Sequence, residues 1–202
     1  MKLHHFFILL LVGTEVLTAQ NFKAFAKAGV AASQVHGDQL SGYNKAGLVG
    51  GLGVEYPLSK VQASMEILFV QKGSRKNPTN DDPTKYLMRL NYVEVPIAVK
   101  KFFVPQVSFE VGTSGGILIK TDNVEWDING QLVARQKFRR FEWAALMGLV
   151  YQINENSYAN FRFSYSILPI RPYPSGTSSY YFYDRGQYNN VIMLSYEYFF
   201  KK

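Results

Sequence analysis

Beyond residue 20 no stretch of this chain is apolar for long enough to form a membrane-spanning helix, yet apolar residues recur at every second position in segment after segment. A period of two puts successive side chains on opposite faces of a strand, so the pattern commits the chain to sheet. The last segment is the clearest. From Asn190 to Phe200 one face carries Ile192, Leu194, Tyr196, Tyr198 and Phe200, and the other carries Val191, Met193, Ser195 and Glu197. Alternation also runs through Tyr158–Ile167, Tyr92–Lys100, Val61–Gly73, Val107–Lys120 and Phe138–Ile153. Two weaker Gly- and Ala-rich segments lie near Phe22–Ser33 and Gly47–Tyr56, which brings the number of predicted strands to eight.

The connections alternate as well. Pro57–Lys60, Phe103–Gln106 and Asn154–Asn156 are short turns, whereas Gln34–Asn44, Ser74–Lys85, Thr121–Lys137 and Arg171–Gln187 are longer and polar. Short turns at one end and long loops at the other describe an all-β, eight-stranded, antiparallel up-and-down transmembrane β-barrel. Both termini then fall on the periplasmic side and the long loops outside the cell. Asp127-Ile128-Asn129-Gly130 within the third loop predicts the tip of a two-residue hairpin, since Asn-Gly suits the positive φ angles of a type I′ turn, with the fifth and sixth strands running on as a ribbon.

Alternation alone does not say which face points inward, and a secreted lipocalin-like barrel would bury the apolar one. Three features favour the membrane. The apolar rows reach five residues, the length of a bilayer-crossing strand. Tyr56, Phe102, Phe103, Trp143, Tyr151, Tyr198 and Phe200 gather towards segment ends, where interfacial girdles form. The polar faces mix small residues with charges of both signs, which suits a narrow filled lumen.

Residues 1–19 read as a secretory signal peptide, with basic Met1-Lys2, an apolar run from Phe6 to Val12 and a cleavage site after Ala19; residues 20–202 then form the barrel domain. The chain has no cysteine, which excludes disulfides, thiolate metal sites and a thiol nucleophile. Its net charge of +7 is scattered along the sequence, so it predicts contact with anionic lipid and lipopolysaccharide and no nucleic-acid partner.

The run Leu90-Asn91-Tyr92-Val93-Glu94-Val95-Pro96-Ile97-Ala98-Val99-Lys100 resembles the fourth-strand signature of PorT-like outer-membrane β-barrel proteins of the Bacteroidetes. Lys27-Ala28-Gly29-Val30, the stretch from Glu66 to Gly73 and the aromatic closing strand agree in place. The resemblance implies an eight-stranded barrel of OmpA/OmpX-like architecture. For function it implies only that some relatives serve type IX secretion, so an accessory place in a secretion or other envelope complex is one expectation.

With the apolar rows facing lipid, the inward set becomes Glu55, Glu66, Glu94, Glu110, Glu142 and Glu197 against Lys27, Lys72, Lys100, Lys120, Arg140 and Arg162. An eight-stranded bore is filled by side chains, and unpaired charges there are costly. The prediction is an interlocking ion-pair plug, with a channel or proton path as the alternative. Chemistry is sparse. The only histidine past the leader is His36, expected in the first loop, and no Gly-x-Ser-x-Gly frames a nucleophile. Asp81-Asp82 and the stretch from Asp122 to Asp127 are oxygen-rich, but neither has the spacing of a calcium loop, so no metal and no cofactor is expected. Tyr180, Tyr181, Phe182, Tyr183 and Arg185 in the fourth loop have the composition of a contact patch, and equally that of girdle aromatics. A non-enzymatic scaffold or binding barrel that contacts another envelope protein leads. A small channel or transport accessory and a lipid-modifying enzyme are the alternatives.

Overall fold

The computed structural model describes residues 21–132, 136–172 and 186–200. Ten strands follow in order: β1 (Lys23–His36), β2 (Lys45–Leu58), β3 (Val61–Lys76), β4 (Tyr86–Val104), β5 (Val107–Leu118), β6 (Glu125–Asp127), β7 (Gly130–Gln131), β8 (Phe141–Gln152), β9 (Ser157–Ser166) and β10 (Tyr188–Phe199). Eight of them close a ring: each long strand pairs antiparallel with the next, and β10 returns to β1 with Lys27 opposite Glu197. Closure removes the free edges that an open sheet would expose, so every wall strand has two hydrogen-bonded neighbours.

The wall is apolar outside and polar inside. Leu52 and Ile67 are each 61% exposed, while Glu197 and Arg162 are 0% and 2% exposed. A continuous outer band of Val, Ile, Leu, Met and Phe is far larger than a water-facing surface tolerates, and it matches hydrocarbon instead. At the turn end the band finishes in aromatics, with the Phe22 and Tyr56 rings 5.0 Å apart and Tyr198 against Phe200 at 6.1 Å.

Small inward residues make room for the long ones. A Cβ on Gly148 would stand 2.6 Å from Glu110 Oε1 and 2.6 Å from the Phe161 carbonyl oxygen, so glycine there lets the Glu110 carboxylate lie across the neighbouring strand.

At the loop end the structure departs from the predicted boundaries. β3 and β4 run on together as a hairpin beyond the apolar band, pairing Gln71 with Asn91 and Lys76 with Tyr86. The two-stranded β6–β7 ribbon leans on this extension, with Trp126 opposite Leu87, and it does not prolong β5, which stops at Leu118. The ribbon turns at Ile128-Asn129, between paired Asp127 and Gly130. Asn129 is therefore a central turn residue with its N–H donated to Asp127 Oδ1 (2.7 Å), and only Gly130 takes a positive φ, 119°. The expected two-residue tip across Asp127–Gly130 is thus present, whereas the positive φ angles of a type I′ turn at its central residues are not. His36 is also not a loop residue: it is the last residue of β1, opposite Tyr188.

Candidate functional site

The lumen is filled in layers. Its floor, at the turn end, is Phe25 against Phe199 (4.8 Å between centroids), with Tyr158 edge-on to Phe199. Inward parity on the first and last strands puts both rings there. The Lys27 and Lys100 ammonium groups lie 5.9 and 5.3 Å from the Phe25 ring centroid, within the range of a cation–π attraction.

Above the floor is a charged tier. Arg162 on β9 grips two carboxylates, one from directly across the ring and one from two strands away. Its Nη1 and Nη2 donate to Glu66 on β3 (2.9 and 2.8 Å), and Nε and Nη2 donate to Glu110 on β5 (2.7 and 3.0 Å). Lys27 joins Glu66 to Glu197, both at 2.9 Å, and Lys100 joins Glu55 to Glu197, both at 3.2 Å. The Asn160 amide donates to Glu197 and Glu110 (2.9 and 3.2 Å). A second group lies higher, where Lys72 bridges Glu94 (2.5 Å) and Glu142 (3.1 Å). Ser166 and Asn189 donate to Glu142 as well (2.5 and 3.2 Å). Apolar side chains pack between the charged groups, with Ala31, Val49, Leu68, Val70, Val191 and Met193 in one buried cluster.

Two of the predicted lumen bases are elsewhere. Arg140 and Lys120 are exposed, because β8 begins only at Phe141 and β5 ends at Leu118. The alternation that would turn them inward has stopped, and the last rung is the Leu118 N–H donated to the Arg140 carbonyl (2.7 Å). Of the predicted lumen set, six buried carboxylates therefore face four buried bases, and neutral donors from Asn160, Asn189 and Ser166 make up the difference. Sequence reading that counts charges overlooks these amides and hydroxyls, although parity places them on the same face.

The loop end is capped by Val35, Met88, Leu90, Tyr92, Leu118, Val124, Phe138 and Ile170, packed together. Over this cap lies a latch absent from the predicted set. Arg171 donates from Nη1 and Nη2 to Glu125 on β6 (2.7 and 2.8 Å) and from Nε to Gln187 (2.6 Å), and its guanidinium stacks 4.3 Å from the Phe138 ring. Tyr86 donates its hydroxyl to Glu125, and the Gln187 amide reaches the Gly37 carbonyl (3.3 Å). One side chain thus ties together the first loop, the ribbon and the start of β10. Burial pushes the nearby Asp38 carboxyl up from its ordinary value, opposed by the Leu40 N–H and the charge of Arg171.

The same contacts occupy the oxygen-rich stretches. Glu125 is held by Arg171 and Tyr86, Asp127 by the Asn129 N–H, and Asp82 by Lys76 (2.5 Å) and Thr84. Among the described residues no group of three or more acidic or histidine side chains is arranged to hold a metal ion. Tyr180, Tyr181, Phe182, Tyr183 and Arg185 lie outside the described residues, as do residues 1–19, where the signal peptide is expected.

The latch carries a prediction. Arg171→Ala removes the charged partner of buried Glu125 and should open the loop end without opening the barrel. Limited trypsin digestion should then cut the loops several-fold faster while the band that resists heating in gels is unchanged. Wild-type cleavage rates would mean that the latch does not hold the loops.

A closed antiparallel ring with an apolar wall and a packed, charged interior defines a transmembrane β-barrel. The chain belongs to the outer membrane protein β-barrel domain family, whose model matches residues 18–171, and that places it among outer-membrane proteins. Its fold is similar to that of Neisserial surface protein A (TM-score 0.52, 10% identity, 88% of this chain and 97% of that one). It is equally similar to the attachment invasion locus protein Ail of Yersinia pestis (TM-score 0.52, 14% identity, 88% and 98%). At such identities the likeness concerns fold alone. No curated protein matches the sequence.

Proposed function

We propose that this barrel is a non-enzymatic component of the cell envelope that scaffolds or binds through its loop end. The observation that carries the reading is the filling of the lumen, from the Phe25–Phe199 floor through the Arg162 tier to the Arg171 latch. A bore packed along its length leaves the outer surface and the loops as the places to act. In this reading both termini are periplasmic, the β3–β4 extension and the ribbon project outside the cell, and residues 1–19 are the removed export signal.

A channel or transport accessory has the same plug against it. A lipid-modifying enzyme would have to rely on His36, the last residue of β1, and no Gly-x-Ser-x-Gly in the sequence frames a nucleophile for it. The partner is another envelope protein, reached through Tyr180–Tyr183 and Arg185, with lipid and lipopolysaccharide around the wall. The PorT-like resemblance extends this to an accessory place in a secretion complex of the Bacteroidetes. Pull-down in mild detergent from native membranes tests the loop contact. Replacing Tyr180–Tyr183 by serines should abolish a stoichiometric companion that the wild-type chain retains. A companion retained by the serine variant would remove the loop from the account.

A further inference from the structure

Above the apolar band the barrel wall splits between β2 and β3. β2 and β3 are paired only up to Val49 and Val70. Above that level β3 continues with β4, and β2 carries on beside β1 alone, with Lys45 opposite Ser33. The Gln71 side chain fills part of the missing ladder, accepting the Leu48 N–H at 3.2 Å. What remains open is a cleft of about 450 Å³ between the two strands, lined by Lys45, Gln71, Arg75, Lys85, Arg89 and Asn91 among others.

Its position and its charge are both informative. Gln71 and Asn91 face outward, next in their rows to the lipid-facing Phe69 and Val93. The cleft therefore sits on the outer wall just above the apolar band, at the depth of lipid headgroups. Four cations line it and no carboxylate does. None of the four has a carboxylate partner among the described residues; the nearest paired base, Lys76, already has Asp82. Arg75 and Arg89 line the same cleft as Lys45, whose Nζ donates to the Ala46 carbonyl (2.6 Å). Arg89 is steadied by Trp126 of the ribbon, 5.5 Å from its guanidinium to the ring centroid.

Like charges gathered in a concave site without counter-ions are unfavourable until an anion enters. Two arginine forks with two lysines suit the several oxygens and the double charge of a phosphate ester better than a single carboxylate. The volume exceeds that of a phosphate and leaves room for an attached sugar or glycerol, whose hydroxyls the Gln71 and Asn91 amides can meet.

We propose that the β2–β3 cleft is a phosphate-ester binding site, filled by the phosphorylated headgroup of a neighbouring lipid or by a soluble phosphorylated sugar. The lipid source rests on the loop end facing the outer leaflet, as in the proposed orientation; the phosphate chemistry does not. The full-length folded barrel in dodecyl maltoside, which carries no phosphate, is titrated with three probes: diphosphoryl lipid A, the same lipid A stripped of phosphate, and soluble glucosamine-1-phosphate. The phosphorylated lipid should bind at least about tenfold more tightly than the stripped one, and Arg75→Gln with Arg89→Gln should remove about that factor. Tighter binding of lipid A than of the soluble phosphate identifies a lipid ligand; equal binding of the two identifies the soluble one. Equal affinity for phosphorylated and stripped lipid overturns the site. So does wild-type affinity in the double variant. Both arginines are exposed, and heat-modifiable mobility confirms folding; Lys85→Gln alone, outside any strand, gives the same test if the pair does not fold.

Discussion

Arg162→Met should destabilise the barrel by about 3–5 kcal/mol, the cost of leaving buried charge without its partner. Arg162 is fully enclosed and makes four donor contacts to two carboxylates. The two are not left equally exposed by its loss. Glu66 keeps Lys27 at 2.9 Å, whereas Glu110 keeps only the neutral Asn160 amide at 3.2 Å. Neutralising Glu110 should therefore rescue more than neutralising Glu66. Urea unfolding in lipid, read by heat-modifiable mobility, should rank the variants: wild type, then Arg162→Met with Glu110→Gln, then Arg162→Met with Glu66→Gln, then Arg162→Met alone. Equal rescue by the two glutamines would mean that the charges share their partners more diffusely than the geometry indicates.

The second large effect separates the membrane barrel from a water-soluble one. Ile97 lies in the middle of β4's outer row, 54% exposed, with Val95 and Val99 on either side. Ile97→Arg should cost about 2–4 kcal/mol in a bilayer, because the guanidinium then sits near the midplane. Phe103→Arg, at the turn-end rim, should cost only about 0–1 kcal/mol, since depth sets the penalty. Both positions are solvent-facing if the wall meets water, and then neither arginine should matter. The contrast between two sites that are both more than half exposed is what makes the pair informative.

Much of this architecture is legible in the sequence, and for a physical reason. Where one face meets hydrocarbon and the other a packed polar bore, alternation is sharp, so β10 was bounded to within two residues at its start and one at its end. Legibility fails where the environment of the outer face changes. Above Asn91 and Gln71 the outer row turns polar, with Arg89 and Arg75, while Leu90 and Met88 remain buried inside. The strands continue, but a reader expecting apolar residues outside sees a loop. The reverse error puts Arg140 and Lys120 in the lumen by extending alternation past the last rung.

The ion-pair tier was visible as parity, although its partners were not. Nothing in the spacing of Glu66, Glu110 and Arg162 says that they meet, because they come from β3, β5 and β9 and the ring alone brings them together. The latch was hidden for a related reason. Arg171 and Glu125 both lie in stretches with turn composition, 46 residues apart, and become a pair only once the barrel top is assembled.

The central claim is that the bore is shut along its length, so the most direct measurement is electrical. The folded protein is inserted into planar bilayers and single-channel current is recorded at high salt across a range of voltages. A flat trace is expected, with insertion verified by recovered heat-modifiable protein. Regular, reproducible conductance steps from that same folded protein would contradict it, and would turn the Arg162 tier from a plug into a gate.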